Sequence, residues 1–216
     1  MSARSSSPVL VTVLDTPAGP LSLLACDDTL VGAGFTGDPE SLHARLEPAL
    51  RESALTAARP QDLAWLVKPM RDYFDGDLKA PDGLPVRQPG SPGRQRLWDA
   101  MRAVPAGTTI SYAELAARAG QPTAPRAAGA ACAANLIAPV IPCHRIVGSD
   151  GSLHGYYYGL PCKEWLLAHE RTHLPFPPPR SVSPTPGALP APPPRSAPTP
   201  TPRSRPRPAP APTLRG

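Results

Sequence analysis

Short apolar runs separated by polar turn residues predict strands in the first part of the chain. Residues 9–14 are apolar and rich in β-branched side chains, and residues 15–20 are typical of a turn. Residues 21–26 and 29–35 continue as strands, with a two-residue turn between them. Three short strands joined by tight connections predict an antiparallel meander.

Helical spacing follows at residues 40–51 and again at 62–74, where an apolar stripe indicates a face turned to the core. A short strand is predicted at 85–87. Residues 8–88 are therefore predicted to form a small α/β domain that shows no chemistry of its own.

The pattern becomes helical after residue 91. An apolar stripe runs from 97 to 104, and Ser111 is a predicted N-cap for a helix over 112–119. A Gly/Pro-rich break separates that helix from a second one over 126–135, which is rich in alanine. Two short helices with such a connection predict a helix-turn-helix, and packing alone would explain the same alanines.

Composition sets the last part of the chain apart. Of the 34 prolines, 17 follow Leu174, in a region with no acidic residue and no lysine. Such a sequence cannot bury enough apolar area to offset its ordering entropy, so we expect a disordered tail over 174–216 with polyproline II bias. The tail is either a spacer or an arm attracted to DNA phosphates. The formal net charge of the whole chain is +5, and it is positive only because of the arginines in the tail. These arginines are Arg180, Arg195, Arg203, Arg205, Arg207 and Arg215.

The four cysteines and the apolar runs indicate the compartment. The cysteines show no C-x-x-C spacing and no small disulfide framework. The first seven residues have no apolar stretch typical of a secretory signal, and no run approaches the ~18 apolar residues of a membrane span. We expect a cytoplasmic protein, in a reducing environment, without membrane contact.

The segment 141–147 contains the candidate chemistry, because Cys143 lies between Pro142 and His144. A free thiol has a pKa of ~8.5, so a nucleophilic cysteine needs a neighbouring base or cation. Pro142 favours a rigid turn that presents a side chain. His144 is adjacent in sequence, so a water molecule would have to carry the proton if its ring points away. Taken alone, the same residues would suit a buried structural cysteine.

Residues 96–170 resemble the methylated-DNA–protein-cysteine methyltransferases, also called alkylguanine-DNA alkyltransferases. The order and spacing of several motifs carry the resemblance. They are Arg96-Leu97-Trp98, Val104-Pro105-Ala106-Gly107-Thr108, Ser111-Tyr112-Ala113-Glu114, Pro125-Arg126-Ala127-Ala128-Gly129, Asn135, Ile141-Pro142-Cys143-His144-Arg145-Ile146-Val147, residues 151–159, and Lys163-Glu164-Trp165-Leu166-Leu167-Ala168-His169-Glu170.

The resemblance implies a catalytic set. Cys143 would accept the alkyl group from O6-alkylguanine, and possibly from O4-alkylthymine. His144 would act as the base through water, Glu170 would orient His144, and Asn135 would brace the turn. A thioether is a poor leaving group, so each protein molecule would react once.

The resemblance also implies alkylated double-stranded DNA as the partner, bound in its minor groove with the target guanine flipped out. Small residues on the second helix would allow close approach, and a tyrosine hydroxyl and a backbone amide would face the base. The implied DNA- and base-binding residues are Tyr112, Arg126, Ala127, Gly129, Ile146 (through its carbonyl), Tyr156 and Tyr157.

The implied fold class is α/β (α+β). A small ribonuclease-H-like N-terminal domain over 8–88 would precede a helical, winged helix-turn-helix domain over 91–173 and the tail over 174–216. No cofactor and no metal are expected, because Cys26 and His43 alone do not make a zinc site. We expect a monomer.

Three positions depart from the family pattern. Leu136 follows Asn135 where many members have proline, which could loosen the turn. Cys132 occupies a position often filled by a larger residue. Tyr158 stands where glycine is common, so we expect a narrowed pocket and poor use of large alkyl groups.

Three other functions compete with repair. A sensor that binds lesions without repairing them lacks the acceptor cysteine, whereas Cys143 is present here. A helix-turn-helix regulator would leave Cys143, His144 and Glu170 unused. A cysteine hydrolase would need an oxyanion hole, for which the sequence shows no signal, and would turn over repeatedly.

Overall fold

The computed structural model of the protein describes residues 7–174. A four-stranded sheet forms the N-terminal part of this region, in the strand order β3-β2-β1-β4. The antiparallel meander of β1, β2 and β3 is confirmed, with Leu10 opposite Ala25 in the first pair. A fourth strand, β4, pairs parallel with β1; its three residues are too few to show a period in the sequence. The strands are β1 (Val9–Thr16), β2 (Gly19–Cys26), β3 (Thr29–Gly34) and β4 (Leu55–Ala57).

Two sequence predictions in this part were wrong in detail. The single helix expected over 40–51 is two short helices, α1 (Pro39–His43) and α2 (Pro48–Arg51). Pro48 is the first residue of α2, where its missing N–H costs no hydrogen bond, but it cannot continue α1. The strand expected at 85–87 is a single bridge between Leu30 and Val86.

The predicted helix over 62–74 is confirmed as a 3₁₀ turn followed by α3 (Ala64–Phe74). In the second half, Ser111 is confirmed as an N-cap, accepting the Glu114 N–H at 3.1 Å. A two-residue parallel pair joins β5 to β6, which places the segment after Cys143 beside the start of α5. These elements are α4 (Pro92–Arg102), β5 (Ile110–Ser111), α5 (Tyr112–Arg118), α6 (Pro125–Ala133), β6 (Ile146–Val147) and α7 (Leu160–Thr172).

One continuous apolar cluster connects the sheet with the helices. It contains Leu23 of β2, Met70 of α3, Met101 of α4 and Leu115 of α5. The segment 141–147, which contributes Ile141, Cys143 and Ile146 to this cluster, is thus supported from both halves of the region. No helix among residues 7–174 is long and apolar enough to cross a membrane. The predicted tail lies outside the described residues, apart from Leu174.

Candidate active site

Asn135 organises the turn that carries Cys143. Its side-chain Nδ2 donates to the Ile141 carbonyl at 2.7 Å and to Cys143 Sγ at 3.2 Å. Its Oδ1 accepts the Ile137 N–H at 3.0 Å. One buried amide therefore connects the end of α6 to both sides of the turn and touches the sulfur directly.

The leucine that replaces proline does not leave this turn unsupported. Leu136 N–H donates to Gln88 Oε1, and the Leu136 carbonyl accepts the Ala33 N–H at 2.8 Å. Proline has no N–H and could not make the first of these bonds. The expected loosening is thus offset by a contact with the segment before α4.

His144 follows Cys143 in the chain, and its side chain is fully buried. Its Nε2 is 2.8 Å from Glu170 Oε1. An ionised carboxylate only accepts hydrogen bonds, so Nε2 carries the proton and Nδ1 keeps a lone pair. Nδ1 is buried and has no hydrogen-bond partner within residues 7–174, which leaves it as a base directed away from Glu170.

Glu170 is the centre of a larger buried network than the sequence indicated. The Arg145 guanidinium donates to both carboxylate oxygens, with Nη2 at 2.8 Å from Oε1. The Tyr73 hydroxyl donates to Oε1 at 2.9 Å and the Gly107 N–H to Oε2 at 2.9 Å. Sequence reasoning missed these three partners. An arginine inside an apolar run was a usable signal for a buried ion pair, whereas Tyr73 looked like an ordinary member of the α3 stripe.

The electrostatics match these contacts. Burial alone would raise the pKa of Glu170, but hydrogen bonds from His144 and Arg145 and the charge of Arg145 outweigh it and hold the pKa well below its ordinary value. Burial lowers the pKa of His144 despite the opposing carboxylate, so the ring is neutral at pH 7. A neutral imidazole held by a carboxylate is the form that can accept a proton.

The thiol itself is protonated at rest. Burial raises the pKa of Cys143, while the Asn135 hydrogen bond and the charge of Lys163 act in the opposite direction. Lys163 is a buried residue that sequence reasoning did not single out, since a lysine in a helix gives no signal. Its Nζ donates to the Ile146 carbonyl at 2.7 Å, and burial lowers its pKa.

A cavity of about 310 Å³ opens in front of Cys143. Burial and the two nearby cysteine sulfurs raise the pKa of Tyr112 to about 12, so its hydroxyl remains a donor. The Tyr156 hydroxyl is buried with no partner in the described chain. The cavity brings together several residues singled out in the sequence, namely Tyr112, Gly129, Cys132, Asn135, Cys143, Tyr156, Tyr157 and Tyr158.

The other predicted binding residues lie outside the cavity lining. Arg126 is exposed as the second residue of α6, and Ala127 packs partly against the core. Ile146 is fully buried, and its carbonyl already accepts from Lys163, which leaves one lone pair. Within residues 7–174, no three His, Cys, Asp or Glu side chains cluster as metal ligands.

Comparison with known proteins gives a consistent result. The family described as 6-O-methylguanine DNA methyltransferase, DNA binding domain, matches residues 92–172. The chain is 38% identical over 159 residues to the methylated-DNA–protein-cysteine methyltransferase of Salmonella typhimurium, covering 72% of this chain and 91% of that protein. It is also 38% identical over 171 residues to the human protein of the same name, covering 74% and 79%.

Solved structures agree. The Mycobacterium tuberculosis O6-methylguanine methyltransferase superposes with a TM-score of 0.62 at 31% identity, covering 77% of this chain and 95% of that one. The Mycobacterium tuberculosis OGT in complex with DNA gives a TM-score of 0.63 at 29% identity, covering 77% and 96%. The mixed α/β fold is shared with both.

Proposed function

The chain belongs to the family of methylated-DNA–protein-cysteine methyltransferases, and we infer from this that it repairs DNA by direct transfer of an alkyl group from O6-alkylguanine to a cysteine of its own. DNA is its partner. The observations that carry the assignment to particular residues are the hydrogen bond from Asn135 to Cys143 Sγ and the hydrogen bond between His144 and Glu170.

We propose that Cys143 is the acceptor and that His144 is its base. The thiol proton passes to His144 Nδ1 through water, because Glu170 occupies Nε2 and Nδ1 has no direct partner among the described residues, the Cys143 sulfur included. The sulfur then attacks the alkyl carbon, a C–S bond forms, and the bond from carbon to O6 breaks. The proton lost by the thiol ends on the guanine, so the base leaves neutral.

Glu170 and Asn135 prepare this step without changing charge themselves. Glu170 stabilises the imidazolium that forms on His144, and it is held in place by Arg145, Tyr73 and the Gly107 amide. Asn135 donates to the sulfur, which favours the thiolate over the thiol. The thioether product has no acidic proton and is a poor leaving group, so one transfer exhausts the protein.

The base-binding residues are proposed from the cavity. The Tyr112 hydroxyl would donate a hydrogen bond to the departing guanine, since its raised pKa keeps it protonated. Tyr156 and Tyr157 would form the wall for the alkyl group, with the Tyr157 amide facing O6. A guanine can reach Cys143 only if it leaves the duplex stack, so we propose base flipping.

The duplex would lie on α6, with its minor groove against the helix. Arg126 is exposed at the start of α6, where it can enter the stack vacated by the flipped base. Gly129 has no atom within 4 Å of the place where a Cβ would lie, so this face is open for close approach. The Ile146 carbonyl would accept from the guanine amine, and Ala127 would support the helix from beneath.

At the level of fold, we propose that residues 8–88 are a ribonuclease-H-like domain and 91–173 a winged helix-turn-helix domain, acting as a monomer. The antiparallel strands beside α3 support the first proposal, and the pair α5 and α6 next to β5 and β6 supports the second. The free thiols of Cys132 and Cys143 suit a reducing compartment, so we propose a cytoplasmic location.

Intact-protein mass after mixing with a duplex that carries one O6-methylguanine tests the function. We expect a gain of one methyl group per protein, mapped to Cys143 and absent in Cys143→Ala. His144→Gln should slow the transfer by ~10²-fold or more, because general-base assistance is lost. Cys26→Ala is the matched control and should react like the wild type, since Cys26 lies in the first sheet.

Three outcomes would contradict this proposal. Tight lesion binding without a mass gain would indicate a sensor. DNA binding that ignores the lesion would indicate a regulator. More than one methyl group released per protein molecule would indicate turnover, as in a hydrolase.

A further inference from the structure

Tyr158 separates two cavities of equal size. One is the cavity in front of Cys143, of about 310 Å³, and the other, also about 310 Å³, lies against the end of β3 and α1. Tyr158 and its neighbour Tyr157 line both of them, so these two residues together form the partition. The Tyr156 and Tyr157 side chains that line the first cavity belong to the same short loop, residues 155–159.

The ring of Tyr158 is held by other rings. It packs edge-on against Phe35 at 5.8 Å between centroids, against Tyr156 at 5.6 Å and against Tyr157 at 5.1 Å. Its hydroxyl is buried and has no hydrogen-bond partner within residues 7–174. Shape, and not a directional bond, therefore keeps this ring in place.

Gly34 at the end of β3 completes the seat of the ring. A Cβ on Gly34 would fall onto the Tyr158 hydroxyl, 2.7 Å from Cζ and 3.1 Å from Cε1. Real Cβ atoms are essentially never found closer than 3.0 Å to another heavy atom. The backbone at Gly34 does not have a positive φ, so the constraint on a side chain here comes from the Tyr158 ring, which a Cβ would have to displace, and not from conformation.

We propose that Gly34 and Tyr158 form a lock that positions the loop 155–159 for alkyl transfer. Tyr158 is a positioning residue in this proposal: it acts through Tyr156 and Tyr157, which meet the alkyl group and the base. The proposal rests on the function inferred above, since it concerns the same cavity.

The loop needs such a lock because a glycine lies at each of its ends. Gly155 and Gly159 flank the three tyrosines, and Gly159 has a positive φ of 89°. Two glycines permit large backbone changes at low cost. A misplacement of ~1 Å at a reacting centre can slow a reaction by ~10²-fold, so the pose of Tyr156 and Tyr157 must be fixed from outside the loop. The contact of Tyr158 with β3 supplies that fixation.

Gly34→Ala tests the lock, with Gly37→Ala as the matched control. A Cβ on Gly37 would lie 3.6 Å from Pro20, an ordinary contact. In single-turnover methyl transfer followed by intact mass, Gly34→Ala should be slower by ~10²-fold, and Gly37→Ala should equal the wild type. Binding to an unmodified duplex should be unchanged in both variants, because α6 is not touched. A normal transfer rate in Gly34→Ala would overturn the proposal.

Tyr158→Ala, alone and combined with Gly34→Ala, separates the lock from a general loss of folding. Without the ring, the added methyl group meets no obstacle, so the double variant should react at the rate of Tyr158→Ala and melt at its temperature. Independent, additive effects would overturn the proposal. The proposal would also be overturned if Gly34→Ala unfolded the protein and the second substitution, Tyr158→Ala, did not restore folding.

Hydrogen exchange gives a readout that does not depend on alkyl transfer. Amides of residues 155–159 should exchange faster in Gly34→Ala than in Gly37→Ala, while those of β1 and β2 stay protected. Unchanged exchange in the loop would contradict the lock. If the wild type transferred no methyl group, the proposed function would fail, whereas exchange and melting would still decide whether the lock exists.

Discussion

Two walls of the same cavity are held by different forces. The turn over 135–147 is held by hydrogen bonds and by the buried charges of Glu170 and Arg145. The loop over 155–159 is held by ring packing, and two of its hydroxyls, on Tyr156 and Tyr158, are buried without a partner in the described chain. Cys143, the proposed acceptor, is thus fixed by directional bonds, and the surface proposed to meet the alkyl group is fixed by shape. Substitutions in the first wall should affect stability most, and those in the second should affect the position of the loop, and with it the transfer rate and the choice of alkyl group.

The largest effect is expected from Glu170→Ala. It leaves the Arg145 guanidinium buried without its partner, and removing one member of a buried pair costs about 3–5 kcal/mol of unfolding free energy. Urea unfolding measures this difference. Glu164→Ala is the matched control, because Glu164 is exposed on the same helix and should change stability by less than ~0.5 kcal/mol. If Glu170→Ala and Glu164→Ala lost the same unfolding free energy, buried charges would not be what holds the first wall.

Tyr158→Gly should change selectivity in the second wall. Wild-type protein should transfer benzyl more slowly than methyl, because Tyr158 closes the cavity on one side. Removal of the ring joins the two cavities, so the benzyl-to-methyl rate ratio should rise by ~10-fold or more. Tyr158→Phe keeps the ring and should keep the ratio. Competing single-turnover reactions measure it, and a benzyl rate equal to methyl in the wild type would rule out Tyr158 as a limit on size.

The stability of the first wall should depend on pH, because that wall contains the buried His144. Burial lowers the pKa of folded His144 below the 6.5 of the unfolded chain, so below pH 6.5 the unfolded state binds more protons. The stability that depends on neutral His144 is therefore present above pH 6.5 and is lost as the pH falls. A tenfold difference in proton affinity corresponds to about 1.4 kcal/mol.

Urea unfolding at about pH 7 and about pH 5 checks this, since histidine changes charge in that range. His144→Gln should flatten the slope of stability against pH, whereas His154→Gln, at an exposed position, should leave it as in the wild type. An unchanged slope in His144→Gln would show that the buried ring does not carry the effect.

The smallest effect is expected from Arg45→Gln. The Arg45 guanidinium lies 4.0 Å from the centre of the exposed Tyr157 ring, a contact of about 0.5–1 kcal/mol at such a site. Thermal melting should detect at most this loss, with methyl transfer little changed. A larger loss would mean that charge as well as shape holds the loop. Arg51→Gln, at an exposed position of α2, is the control.

Local sequence determined the elements whose signal lies within a few residues. The apolar runs between turn residues that predict β1, β2 and β3, and the Ser111 cap, depend only on neighbours in the chain. Cys143 and His144 are adjacent, so the sequence showed both as candidates for a nucleophile and its base. The resemblance of residues 96–170 to a known family added Glu170, which spacing alone could not connect to His144.

Only the tertiary structure decided what surrounds these residues. Tyr73 and Glu170 are 97 positions apart, and no local period links a tyrosine of α3 to a carboxylate of α7. Likewise, Tyr158 appeared in the sequence as an obstacle in the cavity, whereas its seat is the bare backbone of Gly34 on β3. Sequence patterns report which face of an element is buried. What that face meets is determined by the packing of distant elements, and here that packing determines both the partners of Glu170 and the position of the Tyr158 ring.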